Sequence, residues 1–244
     1  MDARLVRAVS TVQQSARKRL PIGKYRVDVC DVSMHRRQKE KRMVLEAKEI
    51  SFRYGKESRQ ILNDFSLQIE SHERVGIVAP SGFGKTTFCK ILAGYEMPDQ
   101  GEVLLDGKPL DTYRGYCPVQ MIWQHPEQVV NPRLRMREVL KEGDEIGEDI
   151  IEGLGIEEDW KKRFPAEISG GEMQRFCIAR ALGKRTKFLL ADEISTMLDL
   201  ITQSQLWSFL IEEVERREIG LLAVSHSMPL LERVCTRICY LEKS

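Results

Sequence analysis

Apolar and polar positions alternate with a period of two over 43–55, "MVLEAKEISFRYG", and again over 60–70, "QILNDFSLQIE", which predicts two strands separated by a polar turn. "RVGIVA" follows as a short continuous apolar run, the mark of a strand buried on both faces. In "KTTFCKILAGYE" the apolar residues recur at helical spacing, and "GEVLLDG" predicts another strand bounded by glycines. Residues 133–166 are acid-rich and helical in pattern, interrupted by glycines at 143, 147, 153 and 155. Beyond them come a helix in "GEMQRFCIARALGK", a strand in "KFLLAD", a helix over about 200–217, a strand in "GLLAVS", a helix, and a strand in "RICYLEK". Strands alternating with helices predict an α/β fold with a mainly parallel sheet, and the two early strands add an antiparallel portion.

Composition changes this picture at one end. The formal net charge is only +1, yet residues 1–42 hold twelve basic against four acidic side chains, leaving the remainder at −7. The chain reads as an acidic domain, 43–244, behind a basic N-terminal extension, 1–42. Without a sustained apolar period, that extension reads as disordered, or as a start placed upstream of a natural one at Met43; a basic arm for nucleic acid or an anionic membrane is the other reading. No apolar run approaches the roughly 18 residues of a membrane span, and Arg and Gln interrupt every run short enough for a signal peptide. Six cysteines contain no C-x-x-C and mostly sit among apolar neighbours, which predicts buried thiols rather than disulfides or a metal site at Cys235 and Cys239.

The candidate chemistry begins in "VGIVAPSGFGKTTF" (75–88), where a strand runs into a glycine loop with a lysine and then a helix. Such a loop wraps successive N–H groups around phosphates, and the helix N-terminus adds the positive end of its dipole. Gly82 and Gly84 supply open backbone angles, Lys85 a point charge for the β- and γ-phosphates, and Thr86 a hydroxyl for Mg²⁺. Ala79 stands where this motif begins with glycine, which is tolerable if its φ is negative. "FLLADE" (188–193) is an apolar strand ending in two carboxylates: Asp192 can reach a Mg²⁺ shell, and Glu193 can polarise water against a γ-phosphate. In "ISGGEMQRFCIARAL" (168–182), Ser169 and Glu172 fit a capping box, and two glycines leave that helix end bare of side chains.

"ISGGE" resembles the signature of ATP-binding cassette (ABC) ATPases, and the resemblance spans about residues 43–243. It implies a P-loop NTPase core with a helical lobe inserted at about 119–186. Under it, Ala79, Pro80, Ser81, Gly82, Phe83, Gly84, Lys85, Thr86 and Thr87 form the Walker A loop that binds ATP, and Tyr54 is the aromatic that stacks on adenine. Asp192 and Glu193 are Walker B and the catalytic carboxylate, Gln124 in "MIWQHP" is the Q-loop glutamine, and His226 in "AVSHSM" is the switch histidine. Thr86, Gln124 and Asp192 are the implied Mg²⁺ ligands. Ser169, Gly170, Gly171 and Glu172 would close on ATP held by a second cassette, and Asp199 in "STMLDL" lies in the D-loop. Glu172, Ile194 and Met197 depart from the commoner Gln, Pro and Ala without removing a reacting group.

"QHPEQVVNPR" is similar to the ATPases of peptide and nickel importers, including those for metal–metallophore complexes. The implied partners are a second ATPase subunit (a copy or a paralogue), transmembrane permease subunits and, indirectly, a solute-binding protein; the implied place is the cytoplasmic face of the membrane, with no nucleic acid involved. Two alternatives are a soluble cassette ATPase acting on nucleic acid or the ribosome, and a non-hydrolytic regulatory cassette. The first usually carries two cassettes per chain, and the second sits badly with Glu193, Gln124 and His226 all present.

Overall fold

The computed structural model describes the backbone of residues 18–22, 25–31, 42–55, 57–196 and 198–243, and the side chains of 42–55, 57–196 and 198–240. In chain order the strands and helices are β1 (Lys18–Ile22), β2 (Tyr25–Asp31), β3 (Val44–Phe52), β4 (Leu62–Glu70), β5 (Arg74–Val78), α1 (Lys85–Leu92), β6 (Gln100–Leu105), β7 (Lys108–Pro109) and β8 (Val119–Ile122). They continue with α2 (Met136–Lys141), α3 (Glu148–Gly153), α4 (Gly170–Ala181), β9 (Phe188–Asp192), α5 (Leu200–Arg216), β10 (Gly220–Val224), α6 (Met228–Val234) and β11 (Arg237–Lys243).

β9 and β10 are buried at every position, as the apolar runs of Phe188–Ala191 and Gly220–Val224 require of strands covered on both faces, with Asp192 closing β9. Alternation along β9 divides the interior: Phe188 and Leu190 join one core with Phe65, Phe88 and Ile91, while Leu189 and Ala191 join another with Phe176, Ile178 and Leu210. The larger sheet has the order β1-β2-β11-β5-β10-β9-β8, and the strands from β11 to β8 are parallel. A second, antiparallel sheet, β4-β3-β6-β7, covers one face. β3 breaks its period of two at a register shift after Ala47, where Glu49 takes a φ of 51°, so that Leu45 and Ala47 are followed inward by Ile50 and Phe52.

Two expectations are corrected here. Lys18–Ile22 and Tyr25–Asp31, placed in a disordered extension for want of a sustained apolar period, form an antiparallel pair that adds to the larger sheet: all seven residues of β2 pair antiparallel with β11. The rest of 1–41 lies outside the described residues. The helical lobe begins after Ile122 rather than at 119, because Val119–Ile122 pairs in parallel with β9 as the last strand of the sheet. The lobe itself packs Met136, Val139, Ile150, Ile151 and Leu154 against Phe176 and Cys177 of α4.

The thiols of Cys89, Cys177, Cys235 and Cys239 are buried and free. Burial pushes Cys177 up to about 11 and Cys235 up to about 12.

Because β5, β8, β9 and β10 run parallel, their C-terminal ends meet at one rim. Ala79, Gln124, Glu193 and His226 follow those four ends within two residues, so topology alone gathers them.

Candidate functional site

The loop after β5 keeps its shape without a leading glycine. Ala79 is buried and is not among the residues with positive φ, so its methyl group is accommodated. Left-handed angles fall instead on Gly82 (φ 73°) and Gly84 (φ 94°), and a Cβ on Gly84 would lie 2.5 Å from Ile61. Gly84 caps α1, which offers its N-terminal amides to the loop. Lys85 is 8% exposed and donates from Nζ to the carbonyls of Ala79 (3.0 Å) and Pro80 (3.2 Å), so the ammonium spans the cradle. Tyr54 lies above, edge-on to Phe52, with its hydroxyl 3.1 Å from Thr87 Oγ1 and its ring half exposed.

At the end of β9 the two carboxylates take different surroundings. Asp192 is 1% exposed and hydrogen-bonds with Thr86, while its Oδ1 has no partner. Burial pushes its carboxyl above the ordinary value; the Thr86 hydrogen bond opposes that and Glu193 adds to it. Glu193 takes a φ of 50°, a left-handed angle that costs a non-glycine residue about 1–3 kcal/mol and that clusters at functional sites. Its N–H donates to Val224 O at 3.0 Å, tying the turn to β10. One carboxylate oxygen accepts from Gln124 Nε2 at 3.2 Å and the other lies 2.8 Å from His226 Nε2. Glu193, Gln124 and His226 therefore form one cluster, adjacent to the Thr86–Asp192 pair.

The residues present suit a Mg²⁺ ion. An orphaned, buried carboxylate oxygen beside a hydroxyl is a hard oxygen site. Among the described residues no three His, Cys, Asp or Glu gather to hold a metal by themselves, so oxygens of a ligand and of water would have to complete the shell.

Ser169 caps α4: its Oγ accepts from the Glu172 N–H at 3.3 Å, and the Glu172 carboxylate accepts from the Ser169 N–H at 2.6 Å. The glycines beside it leave the end open, since a Cβ at Gly170 would meet nothing within 4 Å. A Cβ at Gly171 would lie 3.3 Å from Leu198, which places Leu198 against the Ser169 turn. No hydrogen bond joins Ser169 or Glu172 to Lys85, Thr86 or Thr87 among the described residues. Asp199 caps α5, accepting from the N–H groups of Ile201 and Thr202 at 3.0 Å each and from the Thr202 hydroxyl at 2.6 Å. Those bonds hold its carboxyl below the ordinary value.

Three residues were not singled out by sequence. Ser195, 6% exposed, accepts from Gln203 Nε2 (2.9 Å) and Trp207 Nε1 (3.1 Å), fixing the segment between Glu193 and Asp199. A hydroxyl three residues past a buried strand was the available signal; the helical spacing of Gln203 and Trp207 was its complement.

The profile of the ABC transporter family matches residues 62–196, a span that includes Lys85, Gln124, Ser169 and Glu193. Over 209 residues the chain is 30% identical to the nickel import ATP-binding protein NikE of Escherichia coli (strain K12), covering 77% of each protein. It is 31% identical over 206 residues to the methionine import ATP-binding protein MetN 1 of Staphylococcus epidermidis, covering 78% of this chain and 60% of that one. Among solved structures it is similar to the dimeric bacterial ABC transporter cassette MJ0796, with a TM-score of 0.70 at 26% identity, over 82% of this chain and 94% of that one. The post-hydrolysis dimer of the same cassette, bound to ADP and Pi, gives a TM-score of 0.69 at 25% identity, over the same shares of the two chains.

Proposed function

The chain belongs to the ABC transporter ATPase family, and we propose that it is the ATP-hydrolysing subunit of an importer for peptides, nickel or metal chelates. Its place is then peripheral, on the cytoplasmic face beneath transmembrane permease subunits, with a solute-binding protein acting on the far side. No helix among the described residues is long and apolar enough to cross a membrane, which fits an energising subunit. The substrate class is supported by the likeness to the nickel importer's ATP-binding protein and by "QHPEQVVNPR".

The observation that carries the hydrolytic reading is Glu193 held between Gln124 and His226 at a rim that Lys85 and Asp192 share. Lys85 would turn from its carbonyl partners to the β- and γ-phosphates, and Tyr54 would stack on the base. Thr86, Asp192 and Gln124 would hold Mg²⁺, which supplies charge neutralisation on the phosphates. Glu193 would orient the attacking water, with His226 steadying the carboxylate and facing the γ-phosphate. Phosphoryl transfer depends mostly on such positioning and on charge stabilisation. Among the described residues no hydrogen bond joins Ser169 or Glu172 to the same chain's Lys85, and Ser169–Glu172 would serve the nucleotide of a partner cassette, a second copy or a paralogue.

The test is ATPase activity in proteoliposomes holding this chain, its permeases and its solute-binding protein, with a nickel–histidine chelate or a short peptide added. Stimulation of several-fold by one of the two is expected. No stimulation by either would remove the assigned solute class, and activation by RNA or ribosomes instead would replace the importer reading.

A further inference from the structure

Gln174 projects from the second turn of α4, five residues after Ser169, and is 3% exposed. Its Nε2 donates to the main-chain carbonyl of Trp123 at 3.3 Å. Only the nitrogen of an amide can face a carbonyl, so the orientation is set, and Oε1 is left buried without a partner. Trp123 is the residue before Gln124, and its ring is braced from the other side by Tyr95, edge-on at 5.2 Å, and by Lys90, 5.2 Å above it. One line of contacts therefore joins the Ser169 helix to Gln174, the Trp123 carbonyl, Gln124 and Glu193.

Packing does not explain this glutamine. A buried oxygen without a donor destabilises the fold, and the hydrogen bond from Nε2 to the Trp123 carbonyl leaves that cost standing. A polar group held at such a cost points to a second arrangement in which it is satisfied.

We propose that Gln174 is a positioning residue that ties the Ser169 helix to the Gln124 loop, and that its free oxygen gains a donor when nucleotide draws the loop and the helix together. The tether makes the orientation of Gln124, and through it Glu193, depend on where α4 stands. The inference rests on the ATPase reading of the Glu193 site.

Gln174→Met in the full chain keeps length and bulk while removing both polar atoms. A residue kept for packing and its hydrogen bond would lower the Tm on replacement. A positioning residue should show KM for ATP within about twofold and kcat at least about fivefold lower whichever way the Tm moves, since Met removes both the orphaned oxygen and the donor to the Trp123 carbonyl. An unchanged kcat, or a lower Tm at unchanged kcat, overturns the proposal. Amide hydrogen exchange with and without Mg-ATP reads the tether apart from turnover. In the wild type both 120–128 and 170–176 should slow with nucleotide; in Gln174→Met the loop at 81–87 should still slow while 170–176 does not. A wild-type response at 170–176 in that variant also overturns it. If the wild type itself neither hydrolyses ATP nor slows at 81–87, the ATPase reading fails, independently of Gln174.

Discussion

His226 and Glu193 face each other across 2.8 Å from the ends of neighbouring parallel strands, β10 and β9. The pairing depends on the turn at Glu193, whose φ of 50° would be relaxed by a strand that simply ran on. With Gln124 on the other oxygen, the carboxylate is oriented from two sides before any nucleotide arrives. Glu193→Gln keeps the shape and the hydrogen-bonding capacity but not the negative charge. Turnover should fall by about 10²–10⁴-fold, the usual contribution of a positioned proton acceptor, with ATP binding retained. Equal single-turnover rates for variant and wild type, measured in the assembly with permeases, would take the role away from Glu193.

Lys85 is nearly buried and already desolvated between the carbonyls of Ala79 and Pro80. Its charge is therefore free of most screening where the phosphates would sit. Lys85→Ala should weaken ATP binding at least tenfold, about 1.4 kcal/mol. Titration calorimetry showing equal affinities would refute the loop as the nucleotide site.

Away from the site, Asp144 links the helical lobe to the end of α4. Hydrogen bonds from the Arg185 side chain (3.0 Å) and N–H (2.8 Å) hold its carboxyl down at about 2, against an ordinary 3.8. A depressed carboxyl contributes stability that is present above the ordinary value and lost as pH falls through the folded one. The Tm should drop between about pH 4 and pH 2, and Asp144→Asn, less stable at pH 7, should show a shallower decline across that window. Parallel Tm profiles for the two proteins would assign the acid sensitivity elsewhere.

A chain beginning at Met43 would lack β2, which pairs along the full length of β11, and β11 lies against β5, the strand that leads into the Gly82–Gly84 loop. Removing residues 1–42 should lower the Tm by at least about 4 °C, the shift that 1–2 kcal/mol produces at this size. An unchanged melt would show that the β1–β2 pair contributes nothing to the cassette.

What the amino-acid pattern disclosed tracks how completely a segment is buried and how long it is. β9 and β10 were readable because both faces are covered, which leaves only the terminal Asp192 to interrupt an apolar run. β8 was not, since four residues, Val119–Ile122, carry too little pattern to separate a strand from the helical texture that follows. The β1–β2 pair did carry a signal: Tyr25, Val27 and Val29 alternate with Arg26, Asp28 and Cys30 after a Gly23–Lys24 pair suited to a tight turn. That alternation is too short to make a sustained apolar period over residues 1–42. Asp199 was assigned by motif while its cap was overlooked, although an Asp followed three residues later by Thr is a capping pattern in its own right. Gln174 could not have been found from the chain alone, because what distinguishes it is an oxygen left without a donor.

The order of the larger sheet also governs when the molecule can be finished. During synthesis β2 emerges among the first strands and its partner β11 last of those described, with roughly 200 residues between them, so this closure is the most distant pairing in the sheet. Until β11 is made, β5 has one neighbour instead of two and β2 presents a long unsatisfied edge to whatever lies near the ribosome. A nascent chain thus cannot complete the pairing of the strand that leads into the Gly82–Gly84 loop until β11 has been made.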